Sequence, residues 1–298
     1  MKIAVKGCRI FDRGDSKFDI IIEDGRIKQV LPSAGASYAG YREIEAEGLT
    51  ALPGLVDMHC HLREPGYEYK EDIESGTKAA ARGGFTSVAC MPNTLPPADS
   101  ASVVRYIIKR ALQSASCKVY PIACITKGRK GEELAEFGEL KAAGAIAFSD
   151  DGLPVENPLI MRNCLLYAKS HGCLIISHCE DKLLSDGGCA NEGYNAAIAG
   201  LKGIPAAAEE VMVARDVILA EGIDARIHIA HVSTKGSVEI IRQAKKRGVK
   251  VTCETCPHYF AADDSMILDY NANAKVNPPL RSREDAEAII EGIKDGTI

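Results

Sequence analysis

A (β/α)8 barrel, preceded by a short antiparallel β segment, is the fold this sequence predicts, and three observations predict it. Seven short apolar runs, at 55–59, 85–91, 118–125, 145–149, 173–178, 226–232 and 249–254, recur without the clean alternation of half-exposed strands. Such runs read as parallel strands buried on both faces. Helical stretches closing on glycine lie between them, and that alternation implies right-handed βαβ units. The 298-residue length suits one large barrel or two average domains. The number of units favours a closed barrel, with a doubly wound open sheet as the alternative topology.

Residues 1–50 behave differently. Phe18-Asp19-Ile20-Ile21-Ile22-Glu23 is followed by Asp24-Gly25 and then Arg26-Ile27-Lys28-Gln29-Val30. Strand-like segments either side of Asp-Gly mark a β-hairpin. The pattern changes between Thr50 and Pro53, which divides the chain into a β segment, 1–50, and a barrel segment, 51–298. Within the barrel segment a helix is expected over 204–221, with Pro205 in its first turn and Gly222 just past its end. A second spans 236–247 and closes at Gly248, and a third covers 284–294 after the seventh run. A barrel of this type closes with eight strands. On this count it is incomplete at the C-terminus, and the sequence is expected to be part of a longer chain.

Composition narrows the function. Lys and Arg number 36 against 41 Asp and Glu, a net charge of −5, and 46% of residues are hydrophobic, which excludes a disordered chain. There is no basic block to bind nucleic acid and no run of roughly 18 apolar residues to span a membrane. The start reaches charged residues too early for a secretory leader, so a cytoplasmic protein is expected. Its 11 cysteines then read as reduced thiols. The partner these features leave is a small molecule.

The strongest chemical signal is Asp57-Met58-His59-Cys60-His61 at the end of the first apolar run. Residues two apart on a strand share a face, so His59 and His61 can chelate one ion from the barrel interior. His178 and His231 end two further runs, and Asp150-Asp151 close the run from Ala145. In such a barrel these strand ends converge on one rim, where catalytic groups are found. Four imidazoles and a carboxylate suffice for two ions sharing an oxygen ligand. Zinc suits these donors, although other first-row metals share the preference. His228 has the wrong strand parity relative to His231 and is read as outside the cluster. Cys253-Glu254-Thr255-Cys256 lacks a second cysteine pair and reads as a buried strand end. Metal-assisted hydrolysis, or its reverse, is the implied chemistry.

The stretch DMHCHLREPG, with FTSVACMPNT, FSDDG, SHCED, HVST and NPPLRS, resembles the dihydroorotases of the cyclic amidohydrolase group. That resemblance implies a metal-dependent barrel with a small β-sandwich, to which the N-terminal strands would belong. It implies interconversion of N-carbamoyl-L-aspartate and L-dihydroorotate in pyrimidine biosynthesis. By the same resemblance His59 and His61 hold one zinc ion, His178 and His231 the second, and Asp151 bridges them. One residue of register separates Asp150 from Asp151, and the family motif favours Asp151. Relatives that open hydantoins or allantoin use a carboxylated lysine, which this segment does not offer.

The resemblance assigns His61, Arg63, Asn93 and Asn277 to the substrate, Arg63 as a bidentate partner of its carboxylate. It places the proton-donating aspartate beyond Ile298, so the 1–298 segment alone is expected to be impaired. It also raises a homo-oligomer or an association with aspartate transcarbamoylase as partner expectations. The alternatives are a non-catalytic subunit supporting aspartate transcarbamoylase and a hydantoinase- or allantoinase-type enzyme.

Overall fold

The computed structural model describes residues 1–298. They divide into two units, Met1–Leu55 and Val56–Ile298. In the first, β1 (Lys2–Ile10) pairs antiparallel with β2 (Lys17–Glu23), and β2 with β3 (Arg26–Pro32). Asp24 and Gly25 join β2 to β3 at φ of 49° and 75°. Positive φ at both central residues is what a two-residue type I′ hairpin requires, and Gly25 adopts it without a Cβ penalty. β4 (Arg42–Glu45) and β5 (Thr50–Ala51) add to β1 in parallel. The core of this sheet is Cys8, Ile20 and Ala46, and buried Asp19 accepts from the Gly7 amide and the Tyr38 hydroxyl.

The second unit alternates strands and helices. β6 (Leu55–Cys60), α1 (Ile73–Arg82), β7 (Phe85–Cys90), α2 (Ala101–Ser114) and β8 (Lys118–Pro121) are followed by α3 (Phe137–Ala143) and α4 (Pro158–His171). Then come β9 (Ile175–Ser177), α5 (Lys182–Ser185), β10 (Ala190–Asn191), α6 (Tyr194–Ala199), β11 (Gly203–Ile204) and α7 (Ala207–Ile223). The series ends with β12 (Ile227–Ile229), α8 (Lys235–Lys246), β13 (Val251–Cys253), α9 (His258–Ala261) and α10 (Arg283–Lys294). β6, β7 and β8 form one sheet, in which β7 and β8 run parallel, and β9, β12 and β13 form another that is parallel throughout. Single parallel bridges, Ala123 to Phe148 and Phe148 to Ile175, link them in chain order.

Three expectations need correction, the first being the helix start: Ile204 belongs to β11, and α7 begins at Ala207 after the N-cap Ala206, so Pro205 precedes the first turn. The 145–149 run makes isolated bridges at Phe148 in place of a full strand, although Ile146, Ala147 and Ser149 also form backbone hydrogen bonds with Pro121 and Ala123. Gly222 does not end its helix. α7 runs through it to Ile223, and Asp224 takes the left-handed position at φ 56°.

Two layers of core hold the unit together. Phe137 stacks between Phe148 and Tyr167, with centroids 4.2 and 4.9 Å away, where α3 and α4 meet the strands. A second cluster, Ala89, Met91, Ile122, Ala147, Ile176 and Ala230, contains no helix residue. Ala89 and Ile176 lie on β7 and β9, Met91, Ile122 and Ala230 directly follow β7, β8 and β12, and such side chains packing on one another fill the interior of a barrel. No helix is long and apolar enough to cross a membrane.

Candidate metal centre

His59 and His61 sit at the end of β6, and the Asp57 carboxylate accepts from the His59 amide at 2.9 Å. His178 follows β9 directly, and His231 stands two residues past β12. All four imidazoles meet Asp151. His59 Nε2, His231 Nε2 and His178 Nδ1 lie 3.3, 3.6 and 3.8 Å from its Oδ1, and His61 Nε2 lies 3.5 Å from its Oδ2. Two donor groups result, His59–His61–Asp151 and Asp151–His178–His231, with the carboxylate common to both.

Asp151 Oδ1 is the observation that tests whether a cation fits. It is buried, has no hydrogen-bond partner, and faces three imidazole nitrogens. An unsatisfied buried carboxylate oxygen is costly, and imidazole with carboxylate is a donor set that binds divalent transition metals. The residues present fit a metal.

The neighbours decide which nitrogen of each ring is available. His59 Nδ1 is 2.5 Å from Glu254 Oε1, and His61 Nδ1 is 3.0 Å from Asn93 Oδ1. For both, Nδ1–H is the donor and Nε2 faces Asp151. His178 is reversed: its Nε2 is 3.0 Å from Glu180 Oε2, and its Nδ1 turns inward, 2.8 Å from His231 Nε2. A carboxylate behind a ligating imidazole is the usual outer support of a metal site.

Electrostatics follow from this packing. Burial alone would push Asp151 up, but His231 and His59 outweigh it and hold the carboxyl well below its ordinary range. Burial would likewise push His59 down, yet Asp151 and Glu254 raise it to about 10. His61 moves the other way, to about 4, through burial together with its charged neighbours His59 and Arg63. Glu254, despite its own burial, is held at about 2 by His228 and His59.

Two adjacent aspartates have opposite fates. Asp150 Oδ1 accepts from the amides of Ile125 and Thr126 at 2.9 and 3.1 Å, and the Thr126 hydroxyl donates to its other oxygen. Asp150 is thereby turned away, leaving Asp151 in the cluster. Arg129 pins the same turn, donating to the Asp151 carbonyl at 2.5 Å and to the Asp150 carbonyl from Nε and Nη2.

One helix supports two of the histidines. On α7, Asp216 accepts from the Ser177 hydroxyl at 2.6 Å, one residue before His178. Glu209 accepts from the Ser233 and Thr234 amides at 3.0 and 3.2 Å, just after His231. The two carboxylates are seven residues apart, about two helical turns, and so share a face. His231 has φ 36°, an unusual left-handed conformation for a residue with a side chain. It turns the ring out of strand parity, so parity cannot relate His231 to His228.

The remaining expected residues surround the open side. His61 retains 31% of its side-chain exposure against 2% for His178, so the cluster is reached past His61. Arg63 is half-buried two residues on, and no carboxylate or carbonyl in the structure engages its guanidinium. Asn93 is buried and engaged with His61; its amide nitrogen also lies 3.4 Å from both the Asp151 carbonyl and Oδ2. Asn277 donates to Glu180 at 3.2 Å, and Lys182 pairs with the same carboxylate at 2.6 Å.

Sequence reasoning missed Glu254 and its contact with His228. The available signal was the β12–β13 ladder, where His228 and Thr252 are partners and Glu254 lies two residues further along. Cys253 and Cys256 join neither donor group; burial raises both thiols to about 11.

Comparison with known proteins identifies the family. The family described as dihydro-orotase-like matches residues 48–237. A dihydroorotase of Acetivibrio thermocellus is 58% identical over 297 residues, covering 99% of this chain and 69% of that protein. One from Syntrophus aciditrophicus is 55% identical over 301 residues, covering 100% and 71%. Among solved structures, the L-hydantoinase of Arthrobacter aurescens superposes with a TM-score of 0.84 at 24% identity, covering 99% of this chain and 67% of that one. A D-hydantoinase gives 0.82, also at 24%. At such identities the structural likeness carries the fold alone.

Proposed function

The chain belongs to the dihydroorotase family, and from that premise we infer that it is a cyclic amide hydrolase interconverting L-dihydroorotate and N-carbamoyl-L-aspartate in pyrimidine biosynthesis. In the hydrolytic direction water adds to the ring amide carbonyl, the C–N bond breaks, and the departing nitrogen takes up a proton. The observation that carries this reading is buried Asp151 Oδ1, without a hydrogen bond among three imidazole nitrogens.

In this reading His59, His61 and Asp151 hold one zinc ion, and Asp151, His178 and His231 a second. Such ions supply Lewis acidity, polarising the carbonyl and bringing the pKa of a water to about 7. The chain's own residues do the rest. Asp151 keeps its negative charge between the two donor groups, because its neighbours hold it ionised. Asn93 supports the reading by accepting from His61 Nδ1–H while its amide nitrogen faces Asp151. Arg63, unengaged beside the open side, is available to pair the substrate carboxylate as a planar fork. Asn277, oriented by Glu180, stands as a further substrate contact. The strands of residues 1–50 would form part of the family's small β-sandwich, and the enzyme would work in the cytoplasm.

The hydantoinase alternative rests on a likeness of fold, whereas a carboxylate, Asp151, stands at the shared position. The test compares turnover of dihydroorotate, hydantoin and allantoin by the purified full-length protein before and after chelation. Chelator-sensitive turnover of dihydroorotate alone supports the assignment, and zinc binding without such turnover overturns it. Arg63→Ala is expected to raise KM for dihydroorotate about 10–100-fold, as for loss of a charged hydrogen-bonded pair, with metal content unchanged.

A further inference from the structure

Behind His59 stands a layer that the reaction described above does not use. β6 and β13 share no backbone ladder, yet the carboxylate of Glu254, one residue beyond β13, reaches His59 Nδ1 at 2.5 Å. Its other oxygen lies 3.5 Å from His228 Nε2. His228 is fixed from its far side, where Nδ1 meets the Thr252 hydroxyl at 2.8 Å. His228 and Thr252 are ladder partners, so the neighbouring strand holds this imidazole in place. Its Nε2 is buried without a hydrogen-bond partner and faces the carboxylate. Three strands thus contribute one chain of contacts, Thr252 to His228 to Glu254 to His59.

A neutral imidazole carries one N–H. When Glu254 takes the proton-bearing side, the lone pair falls on Nε2, the atom 3.3 Å from Asp151 Oδ1. Without that acceptor the ring could carry its proton on either nitrogen and rotate about its side-chain bonds. Resting on the metal-centre reading above, we propose that Glu254, backed by His228, is the positioning residue of the His59 side. It decides which nitrogen of His59 is free and where the ring points, and so sets how tightly the His59–His61–Asp151 group holds its ion.

The experiment measures cobalt(II) dissociation constants by chelator competition on the whole protein, with thermal unfolding in parallel. Wild type, Glu254→Ala, Glu254→Gln and His59→Ala are compared. Outer-layer partners of ligating histidines are typically worth about 10–100-fold in metal affinity. Glu254→Ala should weaken one of two binding events by about that factor and leave the other within a few-fold. Glu254→Gln, whose amide oxygen still accepts from Nδ1–H, should recover most of the loss. If Glu254→Ala binds both ions as wild type does while His59→Ala has lost one, the positioning role is wrong and the metal centre stands. Equal losses in the Ala and Gln variants with a matching fall in Tm would make Glu254 a brace for the strand ends, and would also overturn the proposal. A wild type that takes up no ion overturns the metal-centre reading itself.

Discussion

The two histidine pairs reach one carboxylate by opposite routes. His59 and His61 share the end of β6, and their rings are oriented from elsewhere, by Glu254 after β13 and Asn93 after β7. His178 and His231 come from different strands, β9 and β12, yet the residues beside them are held by a single helix through Asp216 and Glu209. The first pair is local in sequence and dispersed in its support. The second is dispersed in sequence and has common support. Damage to the first should therefore disturb binding more than stability, and damage to the second should disturb both.

The largest effect expected removes the element the pairs share. Asp151→Asn takes the charge from both donor groups; losing metal stabilisation worth several kcal/mol should lower dihydroorotate turnover by about 10³-fold or more. Metal analysis should find both ions depleted, and retention of either would break the idea of a shared ligand. Next, Asp216→Ala removes the acceptor of the Ser177 hydroxyl and the partner of Arg215, 2.7 Å away. Breaking such a buried pair typically costs about 3–5 kcal/mol, which denaturant unfolding would register together with loss of the ion at His178 and His231. Asn93→Ala should weaken the ion at His59 and His61 by about 10–100-fold with a much smaller change in stability. A large fall in Tm there would erase the contrast between the pairs.

The smallest effect lies outside both pairs and serves as their reference. Burial alone would push Asp19 up, but Ser33, the Gly7 amide and the Tyr38 hydroxyl outweigh it and hold the carboxyl below its ordinary value. A depressed carboxyl contributes stability that is present above its unfolded value, near pH 4, and is lost as pH falls through its folded value. Acid titration of wild type against Asp19→Asn, read by circular dichroism, should show the variant less stable near neutrality and the difference vanishing in strong acid.

Much of this was legible in the sequence for a physical reason. The β6 pair announces itself because strand geometry brings residues two apart to one face, a rule that needs no tertiary information. The barrel followed from strand and helix periodicity, and the Asp24-Gly25 hairpin from backbone sterics. Resolving Asp150 from Asp151 required the structure, because the Ile125 and Thr126 amides that capture Asp150 are 25 and 24 residues away. Glu254 was hidden in the same way: its partner His59 is 195 residues distant. The parity argument that set His228 aside assumed a regular backbone, and His231 at φ 36° is not regular. Ligands that share an element leave a trace in spacing, whereas groups that orient them across the barrel do not.

The spacing of Glu209 and Asp216 has a mechanical consequence. A helix that grips two strand ends at once acts as a lever: sliding or tilting α7 carries His178 and His231 in concert, changing the gap between the two halves of the centre more readily than the grip within either half. Movement of this one segment would therefore shift His178 and His231 together relative to His59 and His61. Substitutions along its buried flank, far from any substrate, offer a route by which catalytic pace could drift without a single ligand being exchanged.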